Sequence, residues 1–247
     1  MTDVATGQMP RAVIVDLVTA NHILHAQNVV DGFGHVSARH PTRPDHFFLS
    51  RNRAPSLVEA GDILEFRLDG EPVEPGHPPI YVERFIHAAL YRARADIHAV
   101  VHSHSKSVIP FGAVADVGLK PISHMAGFLG EGPPRFEIRE FAGQESDLLV
   151  RDNRLGDALA RVLGDAPVVL MRGHGVTAVG RDLRQVVFRA VYTEWNAAIQ
   201  AQAMALGRPI YMTKEEASAA AAANDSQITR AWDYWAVQAE SARSGIV

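Results

Sequence analysis

Short apolar runs separated by turn residues set the strongest limit on how this chain can fold. Strand-like stretches occur at His35–Arg39, His46–Ser50, Ile63–Leu68, Ile97–Val101 and Val168–Met171. Val176–Val179 resumes as strand after a Gly-rich turn, and Phe136–Ile138 is a further short piece. Many of these runs are joined by short turns of Pro, Gly and Asn, which suit antiparallel pairs and are too short for the crossovers of a doubly wound parallel sheet. Helical patterning precedes, interrupts and follows the strands, at Arg11–Gln27, Val82–Ala93, Glu145–Leu163, Asp182–Leu206 and Thr213–Glu240. Lys106–Ala115 reads as a short helix and Gly127–Pro134 as a loop, while Thr213 and Glu216 have capping-box spacing. The expected fold class is α/β, a three-layer α/β/α sandwich with a mainly antiparallel central sheet, formed as one domain over residues 1–247.

Composition narrows the chemistry. Cysteine is absent, so disulfides, thiolate metal sites, iron–sulfur clusters and a thiol nucleophile are excluded. There are 12 histidines, and any transition metal must be held by His, Asp or Glu. A Schiff-base mechanism would have to use Lys106, Lys120 or Lys214. The net charge of −4 argues against a nucleic-acid partner. No apolar run reaches the length of a membrane span, and the opening MTDVATGQMPR lacks the pattern of a secretory leader. A small-molecule partner, no membrane and a cytoplasmic location are expected.

Three motifs stand out. His102-Ser103-His104 closes an apolar strand, and residues two apart on a strand point the same way, so both imidazoles could meet one ion. Hydrogen-bonded histidines in a turn would give the same pattern. Gly173-His174-Gly175 lies between two strands, where flanking glycines permit a sharp turn that projects the imidazole; a plain hairpin with a solvent-facing His is the alternative. Together these would make a three-His set with open positions for water or substrate. Glu83 and His87 are spaced i, i+4, and Glu83 falls in the first turn of its helix, as a proton-transfer group, a fourth ligand or a surface carboxylate. The loops around Gly34-His35-Val36-Ser37 and Ser50-Arg51-Asn52-Arg53 have the make-up of anion-binding segments, or of simple connections. His124 is undecided on its own.

Taken in order, Glu83-Arg84-Phe85-Ile86-His87, Ala99-Val100-Val101-His102-Ser103-His104-Ser105 and Gly173-His174-Gly175-Val176 resemble the class II aldolase/adducin family. The likeness runs from about Arg11 to Leu206. It implies a class II aldolase-like sandwich, a homotetramer with sites between subunits, and a C-terminal helix at about 213–240 against the interface or active site. It also implies one divalent ion on His102, His104 and His174, with Glu83 as acid/base. Mn²⁺ and Zn²⁺ head the metals, with Fe²⁺ and Co²⁺ compatible. Tyr211 is a second candidate for moving a proton.

The departures from the family's sugar-phosphate aldolases bear on substrate. Gly34-His35 stands where they have Gly-Asn, Ser50-Arg51 where they have Ser-Gly, and Ile80-Tyr81 where they have Ser-Ser. A carboxylate substrate held by His35, Ser37, Ser50, Arg51 and His124 fits these changes better than a phosphate does. Pro121–Gly130 and Met171–Gly175 look closest to the family's decarboxylase branch, which acts on hydroxymethylpyridine dicarboxylates and dihydroxyphthalates. The resulting expectation is a metal-dependent carbon–carbon lyase, a decarboxylase of a hydroxylated aromatic or pyridine carboxylate. An aldolase and a non-catalytic adducin-like binding protein are the alternatives, and a metal-dependent dehydratase of the family stays open.

Overall fold

The computed structural model describes residues 10–244. Residues 1–9, most of the segment read for a leader, lie outside the described residues, as do 245–247. The strands are β1 (His35–Arg39), β2 (His46–Ser50), β3 (Ile63–Arg67), β4 (Ala99–Ser103), β5 (Arg135–Phe136), β6 (Val168–Met171) and β7 (Gly175–Gly180). The helices are α1 (Arg11–Ala26), α2 (Arg84–Ala93), α3 (Ile109–Ala113), α4 (Arg139–Ala142), α5 (Asn153–Leu163), α6 (Leu183–Leu206), α7 (Lys214–Asp225) and α8 (Ile228–Arg243). The sheet order is β3-β2-β1-β4-β7-β6-β5. Every pairing is antiparallel except that of β5 with β6.

The period-2 alternation of strand side chains divides the core into two layers. Val36, Phe48, Val101, Leu170 and Ala178 face α1, α6 and α8. Phe47, Leu49, Val100, Val169 and Val179 face α2 and α5. The molecule is therefore the α/β/α sandwich the sequence suggests. His35, Ser37 and His102 have the parity of the α2/α5 side, which decides where polar groups can gather.

Several boundaries differ from the sequence reading, each for a local reason. The helix expected from Glu145 begins at Asn153, because the Asp152 carboxylate caps the Leu155 N–H and Leu148 takes φ +69° just before it. The expected last helix is two. Asp225 bonds Arg181 and Gln185, Ser226 bonds the Ala223 carbonyl, and these side-chain bonds compete with helix continuation. The capping box of Thr213 and Glu216 is formed. The helix over 106–115 shrinks to α3, with Pro110 at its start, and His124–Leu129 is 3₁₀ where its last three residues were read as loop. No described helix is long and apolar enough to cross a membrane.

Candidate functional site

β4 delivers His102 to the α2 side of the sheet, and His104 follows just past the strand end. The turn from β6 to β7 brings His174 alongside. That turn is tight. Gly173 adopts φ +66°, and a Cβ at Gly175 would lie 2.1 Å from the Ser103 carbonyl oxygen, so only glycine lets the turn close on β4. The three imidazole centroids are 4.8, 4.9 and 5.2 Å apart. Ser103 points away and bonds Ser105 at 2.9 Å, as strand alternation requires.

Glu83 completes the group. It sits one residue ahead of α2, not in its first turn, and caps no helical N–H. One oxygen accepts the Val150 N–H at 3.0 Å, a donor freed because the chain is not yet helical there. The other, Oε2, lies 3.4 Å from His174 Nε2 and 3.6 Å from His102 Nε2. Its expected neighbour His87 faces elsewhere, bonded to His35 and Ser37.

One ligand atom from each of Glu83, His102, His104 and His174 lies within 4.8 Å of the others. The chemistry of this donor set suits a divalent cation. His102 Nε2 is buried with no hydrogen-bond partner. His104 Nε2 and His174 Nε2 face each other at 3.0 Å. Burial first, and the neighbouring imidazoles second, hold His102 well below the ordinary histidine range, and the same causes lower His104. Lowered in this way, His102 and His104 favour the form that offers a lone pair. Thr177 Oγ1 can accept from His102 Nδ1–H at 3.3 Å while donating to Met171 Sδ, which leaves His102 Nε2 as the free lone pair.

A second group lies beside it. His35 stands directly opposite His102 in the β1–β4 register, their ring centroids 5.1 Å apart, and Tyr81 packs on His35 at 4.7 Å. The Tyr81 hydroxyl donates to the Arg53 carbonyl and also contacts Ser50 Oγ at 3.4 Å. Arg51 Nε reaches Asp62 at 2.6 Å, and Arg53 Nη1 reaches both Asp62 oxygens at 3.0 and 3.1 Å. Two guanidiniums converge on one carboxylate, leaving one positive charge in excess. Burial alone would raise Asp62, but Arg51, the Glu59 N–H and Arg53 outweigh it and hold the carboxyl below its ordinary value. A depressed carboxyl contributes stability above its ordinary value and loses that contribution as pH falls through the folded one. Asp62→Asn is expected to cost about 1.5–3 kcal/mol at neutral pH, the worth of charged hydrogen bonds. It should also flatten the acid limb of the stability profile, as read by urea unfolding at neutral and acid pH.

Not every expected site residue arrives here. Ser37 is fully buried and touches His35 only through His87. His124 is exposed at the start of the 3₁₀ segment, and its carbonyl accepts from Asn224 at 2.7 Å; it lines a groove with Phe188, Tyr192 and Trp235. The Tyr211 hydroxyl accepts from Gln200 at 3.2 Å on α6, beside Lys120. Arg53 arrives with the Ser50–Arg53 loop that the sequence marks for anions, whereas Tyr81 and His87 belong to this region without a binding role assigned by the sequence. The i, i+4 spacing to Glu83 is the sequence signal for His87, but it points to a pair on one helix face, whereas Glu83 precedes α2 and His87 bonds β1.

The Class II Aldolase and Adducin N-terminal domain model matches residues 15–201. The chain is 37% identical to decarboxylase tropJ of Talaromyces stipitatus, across 91% of this chain and 92% of that protein. It is 30% identical to the 3,4-dihydroxyphthalate decarboxylase of Arthrobacter keyseri, across 77% and 78% of the two chains. Among solved structures, an aldolase II superfamily protein from Pseudomonas syringae superposes with a TM-score of 0.79 at 23% identity, covering 98% of this chain and 96% of that one.

Proposed function

The chain belongs to the class II aldolase and adducin family, and on that premise we propose that it is a divalent-metal-dependent lyase that removes CO₂ from a hydroxylated aromatic or pyridine carboxylate. The observation that carries this reading is the Glu83–His102–His104–His174 cluster, connected through His35 and Tyr81 to two guanidiniums that share one carboxylate. The likeness to two decarboxylases supports it.

His102, His104 and His174 would hold the ion, with Glu83 as fourth group. Three imidazoles suit Zn²⁺, and the added carboxylate admits Mn²⁺, with Fe²⁺ and Co²⁺ compatible. When bound, the ion supplies Lewis acidity that stabilises the electron pair released when the carbon–carbon bond breaks. With Arg51 held through Nε and Arg53 through Nη1 on the one Asp62 carboxylate, their remaining N–H groups would be offered to a substrate carboxylate, near Ser50, Tyr81 and His35. In the reaction the bond to the departing carboxylate breaks, its electron pair stays on the ring carbon, that carbon takes a proton, and CO₂ leaves. Glu83 Oε2 holds or moves that proton, because its other oxygen is tied to Val150. Tyr211 and His124 enter such a site only across a subunit boundary, in the homotetramer we propose as the working form.

A substrate panel tests the proposal. Fuculose and ribulose phosphates are assayed beside hydroxylated benzene and pyridine dicarboxylates, with Mn²⁺ present and both CO₂ and aldehyde followed. CO₂ from an aromatic acid, with sugar phosphates poor, is the expected result. Efficient aldehyde release from a sugar phosphate, with no CO₂ from any aromatic acid, would overturn it in favour of an aldolase. Arg51→Lys should raise KM for the carboxylate substrate, because an ammonium keeps the charge and loses the fork.

A further inference from the structure

Beside the candidate centre runs an unbroken file of buried polar side chains. His35 Nδ1 lies 2.6 Å from His87 Nε2, His87 Nδ1 lies 2.6 Å from Ser37 Oγ, and Ser37 Oγ lies 2.7 Å from the Tyr91 hydroxyl. His87 and Ser37 are fully buried, and Tyr91 and His35 nearly so. The file is built by secondary structure. His35 and Ser37 share a face of β1, and His87 and Tyr91 are one helical turn apart on α2.

Two directions use every link of such a file; an arrangement in which Ser37 accepts from both Tyr91 and His87 strands the Ser37 hydrogen, which has no other acceptor among the described residues. If Tyr91 donates to Ser37, then Ser37 donates to His87 Nδ1, His87 Nε2–H donates to His35 Nδ1, and the His35 hydrogen sits on Nε2. In the opposite direction His35 carries its hydrogen on Nδ1, every donor points inward, and the last hydrogen is the Tyr91 phenolic one. No acceptor waits for it. Ser37 is the sole partner of that hydroxyl among the described residues. Against the Tyr91 ring lie the Arg39 guanidinium, 4.8 Å from its centroid, which has donors only, and the Phe47 ring at 5.3 Å, which has no oxygen or nitrogen acceptor. Arg39 is itself committed to the carbonyls of Ile97, Pro44, Tyr91 and Arg94. A buried phenolic hydrogen without an acceptor is costly, so the first direction is favoured.

The geometry points to Tyr91, Ser37 and His87 as positioning residues that lock His35 into its Nε2–H form, a neutral hydrogen-bond donor aimed at a substrate oxygen. Burial holds His87 at about 3, so it carries one ring hydrogen and cannot donate both ways. His35 Nε2 has no protein partner among the described residues and, unlike His102 Nε2, is not sealed from solvent. The group it selects is an acceptor, a carboxylate or carbonyl oxygen, and an ammonium or other donor is rejected. Only the use made of this donor rests on the proposed function; the direction of the file does not.

Neutron diffraction from crystals of the perdeuterated, substrate-free protein reads the hydrogens directly. Deuterium on Nε2 of both His35 and His87, and none on either Nδ1, is the expected map. Deuterium on Nδ1 of either ring would overturn the assignment. As a second measurement, Ser37→Ala removes the hydroxyl that passes the direction on. In ¹⁵N-histidine-labelled protein, the long-range ¹H–¹⁵N pattern of His35 should change from a single Nε2–H form to a mixture of both forms. An unchanged single form in Ser37→Ala would show that something other than the file sets His35. Both readings are taken without substrate, so failure of the decarboxylase assignment would leave them standing, and their failure would leave that assignment untouched.

Discussion

His104→Ala should yield a folded protein that has lost nearly all of its divalent ion. Of the proposed ligands His104 is the most suitable to remove, because it lies just beyond the end of β4 and is partly exposed. Truncating it opens space at the mouth of the site and leaves both hydrophobic layers intact. By contrast, His102 is sealed within the sheet, and its removal would confound ligand loss with cavity formation. Changing a residue that merely supports a ligand costs about 10–100-fold in metal affinity, and losing a ligand should cost more. Metal analysis of the purified wild type and variant, beside circular dichroism, gives the comparison. A variant with full metal content and a native spectrum would remove His104 from the centre. Chelation offers a second check, since an ion that binds only the folded chain raises its melting temperature. The wild type should lose thermal stability on chelation, and the variant should hardly respond.

Glu83→Gln should lower turnover on the order of 10²–10⁴-fold, the usual worth of a general acid/base. The substitution is close to isosteric. A glutamine oxygen can still accept the Val150 N–H, so the start of α2 and the approach to α5 should stay in place. What is lost is the negative charge at Oε2 and its capacity to hold a proton between His102 and His174. The metal content should largely survive, because three imidazoles remain. Turnover measured on metal-loaded variant against metal-loaded wild type separates a proton-transfer role from a ligand role. Near-normal turnover would transfer the proton step to another group, and Tyr211 across a subunit boundary would be the first to examine.

Sequence pattern made some of this visible and concealed the rest. The layers were legible because period-2 and period-3.6 patterns are local, and short turns left antiparallel pairing as the economical outcome. The three imidazoles were legible in part. Strand parity put His102 and His104 on one side, and paired glycines marked the turn of His174, but nothing local said that β7 would lie against β4. Helix ends depended on competing side-chain bonds at Asp152 and Asp225, which a periodicity argument does not weigh. His87 was hidden more deeply. Its i, i+4 relation to Glu83 suggested a shared face, yet Glu83 is not in the helix, and the partners of His87 come from β1, some fifty residues away in sequence. Arg51 illustrates the opposite case. Its residue type suggested anion binding, and only the folded chain reveals that Asp62 takes its Nε and is shared with Arg53.

The four groups of the candidate centre come from well-separated stretches of chain: the approach to α2, the end of β4, and the turn between β6 and β7. No contiguous peptide carries the set. A nascent chain that has emerged only as far as α5 holds two of the imidazoles and the carboxylate, and lacks the third until β7 docks on β4. Any ion these four groups hold would therefore be acquired late in the life of the polypeptide, and its presence would certify that the sheet has been completed across its middle. A defect that merely keeps β7 from seating, with every ligand residue unchanged, would leave the centre as incomplete as deletion of His174.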